Sequence, residues 1–272
     1  MYELPELEVI RAIIAEKYTG VAITKIQCGA KVITGKKSPF CEQLINTTIW
    51  FVERRAGHLV LHLDTGKRLM IYLSDQSSFY GGEAGEKAKG SPDLVLYFGE
   101  RFMSFSKLEE QAVQLTTVRE VEDQLKVCAP DPLDRRFTEV YFREQLSKKR
   151  SSLKTFLLDA SVVTGIGPVY SDEILYAARL HPARKVNSLN EQEATNLYET
   201  IRNMMRSAIA DGGVRTEPLY AQDTLTGSYA ERLAVYGRDG KFVLDTENEQ
   251  VELIVVAKQK CYISPLKQLN EQ

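Results

Sequence analysis

Four cysteines, at positions 28, 41, 128 and 261 of 272 residues, include no Cys-x-x-Cys pair. That spacing gives a thiolate zinc site no local scaffold and is equally unlike a dense disulfide framework, so free, reduced thiols are expected. No apolar run approaches the length of a membrane span, and the acidic, mixed start MYELPELEVI lacks a signal-peptide pattern. A cytoplasmic protein that works away from membranes is expected. Basic excess is missing as well: 35 Lys and Arg stand against 37 Asp and Glu, a formal net charge of −2. That balance does not favour a nucleic-acid binder, although cations gathered on one surface would offset it through counterion release. The chain has no internal repeat and no low-complexity tract.

A hydrophobic content of 43% and a charged content of 26% are ordinary for a globular protein, and the length suffices for two domains. Leu7, Ile10, Ile13, Ile14 and Tyr18 form a helical stripe after Pro5, predicting a helix over 5–18. From there to about residue 106 the segments VAITKIQCG, TTIWFVERR, HLVLHLDTG, RLMIYLS, DLVLYFG and RFMSFS read as strands, several joined as hairpins. GGEAGEKAKGSP (81–92) reads as a polar loop, and CAPDPLDRRF (128–137) as a boundary between domains. The predicted class is α+β. An antiparallel β-sandwich with an N-terminal helix occupies 1–129, a linker 130–136, a helical domain 137–230, and a β-hairpin region 231–272.

The helical domain centres on SSLKTFLLDASVVTGIGPVYSDEILYAARLHP, residues 151–182. Leu153, Phe156, Leu157 and Ala160 mark one helix face; Tyr170, Ile174, Ala177 and Ala178 mark another, with Gly165, Gly167 and Pro168 at the turn between them. A glycine turn feeding a helix N-terminus presents N–H groups that suit a phosphate. The same spacing also suits an ordinary helix hairpin. A third helix is predicted over about 188–210, with Leu197, Ile201, Met204, Met205 and Ala208 on one side.

LLDASVVTGIGPVYSDEILYAARLHP resembles the helix-two-turn-helix of the formamidopyrimidine-DNA glycosylase and endonuclease VIII family (Fpg/Nei). The start MYELPELEVI is similar to that family's MPELPEVE opening, and VYGRDGKF with IVVAKQKCYISPLKQ is similar to its terminal hairpin. The resemblance implies a DNA-binding repair protein in which an N-terminal proline amine attacks C1′ of a damaged nucleotide and the next glutamate moves the proton. Glu3 and Glu6 match the family glutamates, while Tyr2 stands at the proline. A retained Met1 would place its amine one residue, about 3.5 Å, out of register. Gly57 stands at the family lysine, with His58 beside it facing the other way in a strand. Asp75 stands at the methionine wedge, with Gln76 next to it, and Glu109 and Glu110 lie where void-filling residues belong. Pro168 replaces the turn asparagine. Val243, Thr246, Ser264 and Lys267 align with the zinc cysteines, and Gln259 with the phosphate-gripping arginine.

The resemblance therefore implies a zinc-less finger, no metal and no cofactor. DNA, whether damaged, abasic or structured, is the expected partner of a monomer. Lys148, Lys149, Arg150, Lys154, Gly165, Gly167, Lys258, Gln259 and Lys260 are its expected contacts. The glycosylase and lyase chemistry is expected to be lost or altered. The alternative is an active enzyme using the Met1 or Tyr2 amine with Glu3.

Overall fold

The computed structural model describes residues 2–29, 41–88, 90–244 and 246–269. They fall into two compact units that exchange short segments. The first gathers Met1–Tyr2, Glu6–Val127 and Arg215–Gly227; the second gathers Glu3–Pro5, Cys128–Val214 and Ser228–Gln272.

In the first unit α1 (Leu4–Tyr18) buries Leu7, Ile10, Ile13, Ile14 and Tyr18, the stripe its spacing predicts. The strands are β1 (Lys25–Cys28), β2 (Ile49–Arg55), β3 (His58–Leu63), β4 (Arg68–Tyr72), β5 (Ser78–Gly82), β6 (Leu94–Phe98), β7 (Arg101–Ser106) and β8 (Val113–Thr116). They form two antiparallel sheets, ordered β1-β6-β7-β5 and β2-β3-β4-β8. Leu59, Leu61, Leu69 and Ile71 of one sheet share a core with Leu94, Leu96, Met103 and Phe105 of the other. Alternating side chains thus close an antiparallel sandwich. α2 (Val118–Leu125) follows, its start fixed by a reciprocal capping box between Thr117 and Glu120.

Three elements of this unit escape the pattern of the sequence: β5, β8 and α2. Gly81 and Gly82, two of the four glycines that gave 81–92 the look of a loop, belong to β5, where a Cβ on Gly82 would stand 2.1 Å from the Phe102 ring. Gly57 is also not in a strand. With Ala56 at φ 48° and Gly57 at φ 80°, the pair forms the two-residue turn of the β2–β3 hairpin. Cys28 and Cys41, expected as free thiols, are joined in a disulfide. Backbone bonds between Ile23 and both Asn46 and Thr47 draw the ends of that span together, a long-range pairing that spacing does not reveal. Cys128 and Cys261 keep their thiols.

The second unit contains α3 (Glu139–Lys148), α4 (Leu153–Leu157), α5 (Pro168–Ala177), α6 (Glu191–Ala210) and the hairpin β9 (Glu252–Val256) and β10 (Gln259–Ile263). Thr138, Ser152 and Asn190 cap the helices whose first turns they precede. α4 is shorter than its apolar spacing suggests. Asp159 turns the chain by accepting from the Ser161 N–H, which leaves Ala160 exposed beyond the helix end. Of the second predicted face, Ala177 is exposed, while Tyr170, Ile174 and Ala178, the residue after α5, are buried. The proline-rich stretch expected as a linker begins this unit instead. Pro130 accepts from the Thr164 N–H, and Phe137 is 2% exposed in the core. Residues 215–227, expected with the helices, belong to the first unit.

Candidate functional site

In the second unit the Glu3 carboxylate sits at the start of α5. It accepts from the backbone N–H groups of Gly167 (2.7 Å), Val169 (3.0 Å) and Tyr170 (3.3 Å). Pro168 carries no N–H, so these donors bracket it. A buried negative charge is thereby set against the positive end of the helix. Leu4 N–H also donates to Gly165 carbonyl at 2.8 Å. The two turn glycines exist for this approach. A Cβ on Gly167 would lie 2.6 Å from the Glu3 Cδ, and one on Gly165, held at φ 83°, would lie 2.8 Å from the Leu4 Cβ. The turn expected to hold a phosphate therefore holds the protein's own carboxylate, which corrects the expectation for Gly165 and Gly167.

In the first unit Tyr2 is 4% exposed, its hydroxyl donating to Ser77 carbonyl (2.9 Å) and its backbone N–H to Leu73 carbonyl (3.2 Å). The Arg215 guanidinium lies 4.0 Å from the ring centroid and donates to the carbonyls of Ser77 and Asp75. Burial pushes the Tyr2 phenol up, against the opposing pull of that guanidinium. A cavity of about 320 Å³ opens beside them, lined by Tyr2, Asp75, Gln76, Lys107, Arg215 and Glu217 among others. Asp75 and Gln76, the expected wedge, form an exposed turn on its rim. Glu6 is buried within the same unit. Met1 lies outside the described residues. Arg215 was invisible to pattern reading, because a lone arginine after a glycine pair carries no periodic signal.

The expected cationic contacts divide sharply. Lys154 is fully buried, its ammonium donating to Asp172 (2.7 Å), Ser171 (2.8 Å) and Pro168 carbonyl (3.2 Å), so it cannot reach a ligand on the surface. It reads as a surface cation only because the sequence hides its partner, Asp172, on the next helix. Lys149 is paired with Asp159 at 2.7 Å and Lys148 with Glu144 at 3.6 Å. Arg150 is exposed, with its guanidinium on the carbonyls of Ser147 and Lys149. Lys258, Gln259 and Lys260 are exposed at the β9–β10 turn, where Ala257 and Lys258 both take positive φ.

At the open end of that hairpin, Glu249 accepts from the Ser264 hydroxyl (2.5 Å) and the Leu266 N–H (2.7 Å), while Gln268 links the Ser264 N–H to Leu180 carbonyl. Glu173, likewise buried, gathers the N–H groups of Ala234, Val235 and Tyr236 at 2.8–2.9 Å. Val243 is in the core, Thr246 donates to Val243 carbonyl, and Lys267 donates to the Tyr176 hydroxyl. Among the described residues no cluster of His, Cys, Asp or Glu could hold a metal ion. Nor is any of their helices long and apolar enough to cross a membrane.

Two family models match: the formamidopyrimidine-DNA glycosylase N-terminal domain over residues 1–105 and its H2TH domain over 128–218. A formamidopyrimidine-DNA glycosylase of Herpetosiphon aurantiacus is 30% identical over 98% of this chain and 99% of its own. One from Listeria innocua is 27% identical over 93% and 95%. Among solved structures, a complex between the Lactococcus lactis Fpg and DNA containing an abasic site superposes with a TM-score of 0.87. It is 26% identical and covers 98% of this chain and all of that one. With both domains matched and a 30% identical relative spanning nearly its whole length, the chain belongs to the formamidopyrimidine-DNA glycosylase family.

Proposed function

We propose that this protein binds DNA with the fold of the formamidopyrimidine-DNA glycosylases but no longer performs their amine-based base excision and strand cleavage. The relatives are named as glycosylases, and similar structures contain damaged or abasic DNA, which supports DNA as the partner. The loss of chemistry rests chiefly on Tyr2. At the position of the nucleophilic proline stands a tyrosine whose side chain is buried and whose backbone N–H is bonded to Leu73 carbonyl. A peptide N–H is no nucleophile, and a retained Met1 amine would lie about 3.5 Å along the chain. Gly57, at the position of the catalytic lysine, is a turn residue without a side chain. On this reading the C-terminal hairpin is a zinc-less finger in which the Glu249 hydrogen bonds stand in for a metal.

Lys258, Lys260 and Arg150 supply the exposed cations, and binding weakens as salt rises with a slope set by a handful of phosphate contacts. The test pairs two measurements on purified protein whose N-terminus has been defined by intact mass. Fluorescence anisotropy with abasic-site duplex is expected to show salt-sensitive binding, and borohydride treatment of the same complex is expected to trap nothing. A covalent adduct would overturn the loss of chemistry; absence of binding to any DNA form at low salt would overturn the whole reading.

A further inference from the structure

The strand β2 begins with an irregularity that changes what the sheet shows to solvent. Ile49 pairs with Leu63 and Phe51 with His62, so Trp50 is an extra residue in the ladder. A bulge of this kind rotates the strand locally. As a result Ile49 and Val52 are buried while two consecutive aromatic residues, Trp50 and Phe51, are 58% and 46% exposed. Their rings lie 5.9 Å apart and are inclined by 34°. Both meet the His62 ring edge-on, at 5.5 and 5.1 Å. His62 is held from the other side by the Glu53 carboxylate at 3.0 Å. Neither ring is a loose surface side chain.

The register continues the row from Phe51 through His62 to Arg68 on β4. Arg68 donates to the carbonyls of Gly66 and Lys67, and the Lys67 ammonium to the Gln43 amide oxygen. Among the described residues neither cation has a carboxylate within ion-pair distance, although the same β3–β4 turn carries Asp64. The patch thus combines two braced aromatic rings with the Arg68 guanidinium, which among the described residues has no carboxylate within ion-pair distance.

We propose that this face is a stacking platform for an unpaired base of single-stranded nucleic acid, with Arg68 meeting its phosphates. Base stacking on aromatic side chains needs only one ring face per base and tolerates any sequence, and adjacent cations add the backbone attraction. A protein partner fits less well. The two rings offer on the order of 200 Å² of exposed surface, far below the roughly 800 Å² per partner that a stable interface buries.

Trp50 is the chain's sole tryptophan, so its fluorescence reports this site directly. Titration of the intact protein with unlabelled oligothymidylate is expected to quench that fluorescence, in step with binding followed by anisotropy of a labelled copy. Trp50→Ala and Phe51→Ala are each expected to weaken oligothymidylate binding roughly 10-fold. Their circular dichroism and their affinity for duplex DNA should not change. Unaltered Trp50 emission at saturating oligothymidylate would overturn the platform, as would failure of the oligothymidylate to bind. So would an emission shift that follows protein concentration alone, since that would make a second copy the occupant. None of these results bears on duplex binding by the rest of the fold, so the two readings fail separately.

Discussion

Tyr2 and Glu3 are consecutive, yet one belongs to the first unit and the other to the second, and the charges around them are held differently. In the second unit each buried charge is enclosed by its own partners. Glu3 and Glu173 each hold three backbone N–H groups, Asp172 holds the Lys154 ammonium and the Tyr262 N–H, and Glu249 holds Ser264 and Leu266. In the first unit the charges around Tyr2 line an open cavity, with Lys107, Asp75 and Glu217 exposed. Scaffold and reactivity thus reside in separate residues. The internal carboxylates can keep the architecture while the position next door changes its chemistry altogether.

The largest effect expected from breaking this contrast is a gain of reactivity. Tyr2→Pro combined with Gly57→Lys restores a secondary amine and a lysine to the first unit while Glu3 keeps its donors. Borohydride is then expected to trap an adduct on abasic DNA that the unaltered protein does not form. An untrapped double variant that still folds would show that more than these two positions has been lost.

Next in size is the buried pair of the second unit. Lys154→Met leaves the Asp172 carboxylate without its counter-ion and is expected to cost about 3–5 kcal/mol in urea unfolding, with Asp172→Leu added to it recovering most of the loss. Burial already pushes the Asp172 carboxyl up to about 6 with the ammonium beside it. Removing the ammonium raises it further. The folded variant then binds more protons than the unfolded chain from about pH 4 to beyond 6, so its stability should fall as pH rises through that window. A variant equally destabilised at pH 5 and pH 8 would show that Asp172 is not the group left exposed to the loss.

Glu3→Ala is expected to cost about 2–3 kcal/mol, because three N–H groups at a buried helix start lose a charged acceptor. Unfolding midpoints would measure it, and a neutral result would mean that water replaces the carboxylate. Smaller again, Glu249→Ala should lower stability by about 1–2 kcal/mol. A chelator should leave the melting temperature of the unaltered protein in place. A chelator-sensitive melt would point to a metal instead of hydrogen bonds at the hairpin.

Periodicity made much of the scaffold readable. The α1 stripe, the β3–β4 and β6–β7 hairpins and the long α6 all bury the faces their spacing marks, because each has a local period and a local stop signal. What escaped was set by distant partners. Gly82 reads as loop until Phe102 is seen against it, and Gly165 and Gly167 read as a phosphate turn until Glu3 and Leu4 fill it. Lys154 reads as a surface cation until Asp172 appears, and Cys28 shows no sign of Cys41. Motif resemblance found Tyr2 and Glu3; only geometry found Arg215, whose role comes from the carbonyls of Asp75 and Ser77.

The segment Arg215–Gly227 carries a consequence for how the polypeptide is made. The sandwich receives its last strip of chain only after the helices have been translated, for Leu219 joins its core and Leu219 carbonyl caps the β5 edge at Gly81. A nascent chain released at the end of α2 would lack that strip. Cutting the gene between residues 127 and 128 should therefore yield an N-terminal fragment that aggregates or recruits chaperones, and supplying residues 128–272 separately should rescue it.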